Sequence, residues 1–242
     1  CIALLFAALF TNDRVKIPGT GFFKVVFYMP NIITAASVAL IFGQLFGHPY
    51  GPVEQMLKSL GLVEEIQFFQ SKAWTRGIIV FIQFWMWFGQ NMIVYMATIL
   101  SINPSLFEAA RIDGAGDGQI FFRITLPLLK PMLIYILVTS MVGGLQMFDI
   151  PFLFHTKRST INKYLETAAV FVYKNFRTSE DKVQYGYAGA ASIVLFIITA
   201  VLGIIVFRMN RDADEARKKK ERKELVKAYK REQKLAKMGG VD

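Results

Sequence analysis

Four long runs of apolar residues, separated by short polar stretches, dominate the chain. They cover Phe22–Phe46, Gly77–Leu100, Leu128–Phe152 and Tyr187–Phe207. A helix needs roughly 20 apolar residues to cross the hydrocarbon core of a bilayer, and each run reaches that length. Cys1–Phe10 is also apolar but too short to span alone, so we expect it to end an earlier span whose beginning is missing. The pattern predicts an all-α integral membrane protein that holds the end of one span plus four full spans.

The composition supports a membrane protein and excludes several kinds of site. The chain is 54% hydrophobic with 22 Phe and a mean hydropathy of +0.39, which is more apolar than soluble domains of this length. The single cysteine, Cys1, excludes a disulfide framework and a multi-cysteine metal site. The two histidines, His48 and His155, lie in predicted loops, where we expect solvated side chains. The sequence has no Ser/His/Asp set, no paired catalytic carboxylates and no Walker-type glycine loop. We therefore predict no catalytic residues, no metal site and no ATPase activity.

The most informative polar stretch lies between the second and third full runs. It contains Leu106–Ala115, with the helix-forming Glu108-Ala-Ala110, followed by Phe122–Pro127 and Lys130-Pro131. A simple connection between spans needs no such order, so a helix and turn here predict a docking surface. The stretch resembles the "EAA" loop of binding-protein-dependent ABC transporter permeases, which in that family docks in a groove of the cytoplasmic ATPase. The resemblance predicts a coupling loop at residues 106–131, with the ATPase-coupling residues Glu108, Ala109, Ala110, Asp113, Gly114, Ala115, Leu126 and Pro127.

The resemblance covers nearly the whole chain except its charged C-terminal part. Asp113-Gly-Ala115 and Ile124-Thr-Leu-Pro127 are similar to the carbohydrate-uptake type, which includes the maltose-transporter permeases. The resemblance implies a type I ABC importer permease with a six-helix core, located in the cell membrane. The implied partners are a second permease subunit, two ATPase subunits, an extracytoplasmic solute-binding protein and a sugar substrate. We expect no cofactor in this chain, because ATP and Mg belong to the ATPase subunits.

The positions of the basic residues predict the orientation of the chain. Segments 11–24, 101–130 and 208–242 carry 3, 3 and 13 of the 28 Lys and Arg residues. Alternation of the predicted spans puts these three segments on one side of the membrane. The positive-inside rule then predicts that the coupling loop and the C-terminal segment are cytoplasmic. We divide the chain into a transmembrane permease domain, residues 1–207, and a charged tail helix, residues 208–242.

The tail mixes charges of both signs, with Lys218-Lys-Lys220 lying among Glu215, Glu221 and Glu224. This mixture favours a helix with ion pairs between successive turns. A solvated helix that also sets the topology is our first interpretation, and contact with anionic lipid headgroups or with the ATPase is the alternative. We expect no nucleic-acid partner, because the chain is anchored in a membrane and the tail has many acidic residues.

Polar side chains inside an apolar run identify candidates for the transport pathway, because polar groups that face lipid are costly. In the second full run, the spacing of Gln83, Trp87, Gln90, Asn91 and Tyr95 places them on one helical face. Amides bond hydroxyl groups in both directions and aromatic rings stack on sugar rings, so this face suits a sugar. Hydrogen bonding between neighbouring helices explains the same residues equally well.

The third full run adds three polar or small residues with helical spacing. They are Thr139, Gly143 and Gln146. Gly143 permits close approach of a ligand or a neighbouring helix, and Gln146 is the stronger candidate for lining a pocket. The complete set of substrate-pathway candidates is therefore Gln83, Trp87, Gln90, Asn91, Tyr95, Thr139, Gly143 and Gln146.

The main functional hypothesis is a permease subunit of an ATP-driven ABC importer for a sugar or oligosaccharide. An uncharged ligand is favoured, because the candidate face carries no Arg or Lys to hold an anion. The alternative is an ABC importer for another solute, such as an amino acid, a peptide or an anion. A secondary transporter would need ionisable residues at the centre of the membrane, and the four runs have none there. A membrane-bound enzyme would need a catalytic constellation.

Overall fold

The computed structural model describes residues 1–12, 17–157, 164–177 and 185–238. Within these ranges the chain is helical, and no strand occurs in them. A 3-10 helix covers Phe68–Gln70 and a π-helix covers Phe121–Thr125. The α-helices are α1 (Ile2–Phe10), α2 (Thr20–Ile32), α3 (Ala35–Leu45), α4 (Pro52–Ser59), α5 (Lys72–Leu100), α6 (Pro104–Ile112), α7 (Asp117–Ile120), α8 (Leu126–Leu145), α9 (Asp149–Lys157), α10 (Ala168–Arg177) and α11 (Tyr185–Met238).

Three stretches of the described chain are long and apolar enough to cross a membrane. They are α5, the nearly continuous helical stretch Asp117–Phe154, and the first part of α11, Tyr185–Met209. They correspond to the second, third and fourth full runs of the sequence. The middle stretch is interrupted, because α8 ends at Leu145 and α9 begins at Asp149. A fourth span is present if the bent pair α2 and α3 is counted as one.

The first full run, Phe22–Phe46, does not form one continuous helix. Its two parts, α2 and α3, meet at an angle of 96°. Pro30 inside α2 lacks an N–H group, which weakens the helix near its end, and Ile33 adopts an extended conformation with ψ of 135°. Thr34 then caps α3, because its Oγ1 accepts a hydrogen bond from the Ser37 N–H group at 3.3 Å. The predicted uninterrupted span is thus replaced by a bent pair, because a proline and a cap divide an otherwise apolar run.

Helix α5 organises the packing of the chain. Its first half belongs to an apolar cluster shared with α3, the 3-10 helix and α9. Its second half belongs to another cluster shared with α1 and α8, formed by Ala7, Met92, Tyr95, Met96, Ile99, Leu129 and Ile136. One helix thus joins the N-terminal helix α1 to elements as far along the chain as α9.

A close crossing joins α5 to α2 at Gly89. A Cβ atom at this position would collide with the backbone carbonyl of Phe27. Small residues allow membrane helices to approach this closely, since their association depends on packing rather than on expulsion of water. Beside the crossing, the rings of Phe27 and Phe88 pack edge to face with centroids 5.4 Å apart.

Helix α11 runs without a break for 54 residues. Its apolar first part packs against α8 and α10 but leaves large side chains exposed, including Phe196 and Ile204 at 70% and 57%. The charged sequence that starts at Arg208 continues the same helix. The boundary drawn after residue 207 therefore marks a change of composition and not a structural break. Residues 239–242 lie outside the described ranges.

Candidate functional site

The polar stretch between α5 and α8 begins with α6, a short helix that is capped by its own sequence. Pro104 occupies the first turn, where its missing N–H group has no cost. The Asn103 side chain accepts a hydrogen bond from the Ser105 N–H group at 3.1 Å. Of the predicted coupling residues, Glu108 and Ala109 are exposed. None of the residues of α6 is buried against the rest of the described chain. The helix thus relies on local bonds for its shape.

Gly114 ends α6 and turns the chain. The Ala115 N–H group donates to the Ala110 carbonyl at 2.9 Å, and the Gly114 N–H group donates to the Arg111 carbonyl at 3.1 Å. This pair of bonds is the Schellman motif, which needs a left-handed residue after the C-cap, and Gly114 has a φ of 80°. No atom lies within 4 Å of the position that a Cβ would take. Glycine is therefore required here by the backbone conformation, and Asp113-Gly-Ala115 is a helix stop.

The second half of the coupling loop is α7, followed directly by the π-helix and α8. The Gln119 Oε1 atom accepts a hydrogen bond from the Gly116 N–H group at 3.1 Å, which stabilises the start of α7. In the π-helix, the Leu126 N–H group donates to the Phe121 carbonyl. Pro127 has no N–H group and cannot continue the regular pattern, which explains why the helix widens immediately before it. Leu126 and Pro127 therefore form the first turn of α8. The π-helix was not predicted, and Pro127 was the available signal.

Three large apolar side chains of the coupling loop are exposed. Leu106, Ile112 and Phe122 have exposed fractions of 46%, 86% and 67%. Exposed apolar surface of this kind is suited to contact with another protein or with a membrane. Local hydrogen bonds fix the backbone of α6 and its turn, so the position of these side chains does not depend on packing against the spans.

A cavity of about 410 Å³ lies between α6, the ends of α1 and α5, and the start of the π-helix. Its lining includes Leu9, Ile99, Phe107 and Phe121, together with Arg111. None of the predicted substrate-pathway residues lines it. The cavity means that α6 is not tightly packed against the spans.

Four of the five candidates on α5 share an accessible surface. Trp87 is 48% exposed, and Gln83, Gln90 and Asn91 are partly buried. The three amide side chains make no hydrogen bond to any residue that the structure describes. They therefore remain available to a ligand or to another subunit. Tyr95 differs, because it is 6% exposed and lies in the cluster shared with α1 and α8. Its position indicates a packing role.

The three candidates on the third full run lie in the last turns of α8 and at its C-cap. α8 ends at Leu145, and Gln146 is its C-cap residue rather than part of the helix. The Thr139 hydroxyl donates to the Tyr135 carbonyl at 2.8 Å, so it is already bonded within its own helix. Thr139, Gly143 and Gln146 are all exposed. Gln146 therefore keeps the helical spacing, since its N–H group donates to the Val142 carbonyl at 3.0 Å, and it lies where α8 ends.

The chain matches a known transport family over most of its length. Residues 1–215 match the binding-protein-dependent transport system inner membrane component family. The chain belongs to this family. The resemblance stated from the coupling-loop residues is thereby confirmed, and the permease is a component of a membrane transport system.

Similar proteins support the carbohydrate branch of this family. The permease is 28% identical over 212 residues to the lactose transport system permease protein LacF of Rhizobium radiobacter, covering 87% of this chain and 70% of that protein. It is 31% identical over 205 residues to the arabinooligosaccharides transport system permease protein AraP of Halalkalibacterium halodurans, covering 84% and 62% of the two chains.

Solved structures show the same architecture. The permease superposes on a chain of a bacterial ABC transporter that imports the acidic polysaccharide alginate, with a TM-score of 0.75 and 27% identity over 87% of this chain and 71% of that chain. A second structure of a bacterial alginate ABC transporter, in complex with an alginate pentasaccharide-bound periplasmic protein, matches with a TM-score of 0.74. The all-helical ABC importer permease fold predicted from the sequence is confirmed.

One polar cluster of the permease was not predicted from the sequence. It lies in residues 46–71, which we call the α3–α5 segment. The Glu54 side chain is fully buried, and its carboxylate binds Lys58 Nζ at 2.8 Å and His48 Nδ1 at 3.0 Å. The other ring nitrogen of His48 lies 3.2 Å from Glu65 Oε1. The expectation that His48 is merely solvated is therefore wrong, and the four-residue spacing of Glu54 and Lys58 was the missed signal. The side chain of His155 lies outside what the structure describes.

Proposed function

We propose that this chain is a membrane-spanning permease subunit of an ATP-driven ABC importer for a sugar or oligosaccharide delivered by an extracytoplasmic binding protein. The observation that carries the proposal is α6, a helix capped at both ends that buries none of its residues in the described chain. Because the chain belongs to the binding-protein-dependent family, we propose that an ATPase subunit is the partner of this exposed helix. The similarity to permeases named for lactose and arabinooligosaccharides supports a carbohydrate substrate.

The proposed partners are a second permease subunit, two ATPase subunits and a solute-binding protein. The similar alginate transporter that was solved with a periplasmic protein supports the last of these. The exposed apolar side chains of α5 and α11 supply surface for lipid and for the second permease. In this arrangement the chain is not an enzyme and needs no cofactor, because the ATPase subunits hold ATP and Mg.

The mechanism that we propose starts at α6. Closure of the ATPase subunits would push on Leu106 and Ile112, and the cavity behind α6 gives the helix space to move. The load then passes through α7 and the π-helix into α8, since these elements follow one another without a loop. Movement of α8 would change the side to which a central pathway opens. Substrate binding alone cannot drive uphill transport, so ATP hydrolysis in the partner subunits supplies the free energy.

We further propose that the subunit is a multi-pass protein of the cell membrane with the coupling loop and the tail in the cytoplasm. The support is the concentration of Lys and Arg in segments 101–130 and 208–242, with 3 and 13 of the 28 basic residues. Docking to a cytoplasmic ATPase requires the same orientation for α6. A cysteine at Ala115 should be labelled by an impermeant reagent in inside-out vesicles, and labelling in intact cells instead would reverse this orientation.

The proposed substrate pathway follows the unbonded amides of α5 and the break after α8. It includes Gln83, Trp87, Gln90 and Asn91, with Thr139, Gly143 and Gln146 contributed by the other element. Tyr95 is omitted because it is packed in the interior. Loss of an amide that bonds a substrate hydroxyl should reduce apparent affinity roughly tenfold. Gln90→Ala and Gln146→Ala should therefore weaken uptake while leaving assembly and basal ATPase activity intact, and Tyr95→Phe should leave affinity unchanged.

We further propose that the substrate is an uncharged sugar. The amide and aromatic residues favour an uncharged sugar, since no Arg or Lys lies among them. The similarity to a transporter of the acidic polysaccharide alginate keeps an anionic oligosaccharide as a second candidate, whose cation would come from another subunit. Importers of amino acids or peptides are the remaining alternative within the family.

The deciding experiment is uptake into vesicles that contain the purified transporter and its binding protein. Uptake would be compared for radiolabelled neutral oligosaccharides, acidic oligosaccharides, amino acids and phosphate. Each would be measured with and without ATP on the side of the membrane that carries the ATPase subunits. We expect ATP-dependent uptake of a neutral di- or oligosaccharide. Uptake restricted to amino acids or phosphate would overturn the sugar assignment and preserve the permease assignment. Crosslinking of Ala109→Cys to a copurifying ATPase, with Ser59→Cys on α4 as the matched control, tests the coupling role separately.

A further inference from the structure

The cavity behind α6 is lined mostly by apolar side chains. Its volume of about 410 Å³ lies within the range of roughly 300–1,000 Å³ that is usual for pockets that hold small organic molecules. The ends of α1 and α5 form one wall, and Phe107, Ile120 and Phe121 of the coupling loop lie in the other. An ordered water needs several polar partners, whereas an apolar ligand gains dispersion contacts from such walls. The lining therefore suits a hydrocarbon better than water.

The rim of the cavity belongs to the surface that the helices present to the membrane. Leu5, Leu9 and Leu100 line the cavity and yet are 61%, 41% and 67% exposed, which places them at its rim. Leu5 and Leu9 are one turn apart on α1, and Leu100 is the last residue of α5, which is long enough to cross a membrane. Lipid tails are as apolar as leucine, so they cover exposed leucines of membrane helices at no cost. The cavity is thus continuous with a surface suited to lipid.

The polar part of the lining carries one charge of each sign. Arg111 is in the last turn of α6 and Asp117 begins α7, and Asn12 follows the end of α1. The formal charges of Arg111 and Asp117 cancel, so this part of the lining does not favour an anionic ligand over a zwitterionic one. A ligand is therefore selected by its apolar part. A phospholipid has the required combination of a long apolar chain and a polar head.

We propose that the cavity binds an alkyl chain of a membrane phospholipid from the leaflet next to the coupling loop. The chain enters past Leu5, Leu9 and Leu100 and packs against Ile99 and Phe107. The lipid then forms part of the contact between the coupling loop and the spans. Because an alkyl chain is flexible and attached to neither wall, α6 can still move. The proposal depends neither on the identity of the transported solute nor on the protein that docks on α6.

The test is photocrosslinking of the assembled transporter in lipid nanodiscs. The probe is phosphatidylethanolamine with a diazirine group in one acyl chain, and mass spectrometry locates the labelled residues. We expect labels on Ile99 and Ile120, which line the cavity but are only 7% and 8% exposed. Labels confined to rim residues such as Leu5 and Leu100 would overturn the proposal, because they would report an adventitious lipid at the protein surface only.

Ala8→Phe is designed to fill the cavity, since Ala8 lies in its lining and is partly buried. A ring that displaces two or more methylene groups of the lipid should lower labelling of Ile99 and Ile120 at least about tenfold. Ala8→Leu should give a smaller decrease, and it replaces Ala8→Phe if that variant does not assemble. Ile2→Phe is the matched control, because Ile2 is 50% exposed on the same helix and does not line the cavity. Labelling that is unchanged in the Ala8 variants, or lost equally in Ile2→Phe, would contradict the proposed site.

Two further probes identify which part of the lipid is recognised. Phosphatidylglycerol with the same acyl chain should label Ile99 and Ile120 to the same extent, since Arg111 and Asp117 have opposite charges. Labelling by phosphatidylglycerol alone would mean that the headgroup charge, and not the chain, is recognised. Palmitic acid with the same diazirine tests a free amphiphile as the source of the chain. Labelling by palmitic acid and by neither phospholipid would overturn the assignment to a membrane lipid.

Discussion

The α3–α5 segment and the coupling loop connect to opposite ends of the same helix, yet they are stabilised in opposite ways. The α3–α5 segment turns charged groups inward, where Glu54 is fully buried and ion-paired with Lys58. The coupling loop turns apolar groups outward, where Ile112 is 86% exposed, and α6 buries none of its residues in the described chain. The charged cluster of the first segment is completed within its own chain, which also exposes Met56 and Leu60. The second has a backbone fixed by local hydrogen bonds, but its helix α6 buries no residue in the described chain. This combination is the property expected of a docking element.

Each region has a glycine with positive φ, so the two regions can be compared by matched substitutions. Gly61 follows α4 with a φ of 68°, and Gly114 follows α6 with a φ of 80°. Neither has an atom within 4 Å of its potential Cβ position. Substitution at either glycine therefore creates the same backbone strain and no steric collision. Any difference between the two substitutions must come from the function of the surrounding segment.

The largest difference is expected when exposed apolar residues are made polar. Leu106→Ser combined with Ile112→Ser should weaken binding of the ATPase subunit about 30-fold or more, because buried apolar anchors at an interface commonly contribute 2 kcal/mol or more. The measurement is the fraction of ATPase retained on the purified permease as the complex is diluted. Met56→Ser on α4 combined with Leu60→Ser at its C-cap provides the matched control, since these side chains are 55% and 63% exposed. Equal loss of ATPase in both double variants would remove the distinction between the two regions.

An intermediate effect is expected from the paired glycines. Gly114→Ala and Gly61→Ala should each strain the backbone by roughly 1–2 kcal/mol. The unfolding temperature should therefore fall to a similar extent in the two variants. Only Gly114→Ala should reduce the amount of substrate taken up for each ATP hydrolysed, by about fivefold, because only that turn transmits force. Gly116→Ala, at a φ of −75°, should have neither effect. A loss of coupling in Gly61→Ala would show that backbone strain anywhere in the chain reduces coupling, and that the position of the strained turn does not matter.

The first helix and turn of the coupling loop could be predicted because their structure is local, whereas the π-helix could not. Asp113-Gly-Ala115 encodes a helix stop, and Asn103 with Pro104 encodes a helix start, whatever the rest of the chain does. The candidate face of α5 was also largely predictable, since helical spacing places Gln83, Trp87 and Gln90 together. Tyr95 shares that spacing but is buried. Spacing alone cannot show which side of a helix is covered by α1 and α8.

Features that depend on two competing local signals were missed. The apolar run Phe22–Phe46 satisfies the length of a span, but Pro30 and the Thr34 cap divide it into helices at 96°. The ion cluster was missed for another reason. Glu65 reaches His48 only through the folded path of the α3–α5 segment. Sequence separation gives no measure of that distance.

The smallest effect is expected from acid, and it tests what holds the α3–α5 segment together. The hydrogen bond from Lys58 lowers the pKa of Glu54 below its ordinary value of 4.5, with a further contribution from His48, although burial opposes them. A carboxyl group with a lowered pKa stabilises the folded segment fully above the ordinary value. That stabilisation is lost as the pH falls through the lowered pKa.

Hydrogen exchange of residues 47–66 should therefore accelerate only below pH 4.5, with the coupling loop as the reference within the same sample. Lys58→Met should move this acid limb to higher pH, because it removes the largest cause of the lowered pKa. Glu54→Gln should abolish the limb, since the amide does not titrate. An acid limb that stays in place in Lys58→Met would mean that the ion pair does not hold the segment. The contrast between an internally bonded segment and an open coupling loop would then rest on burial alone.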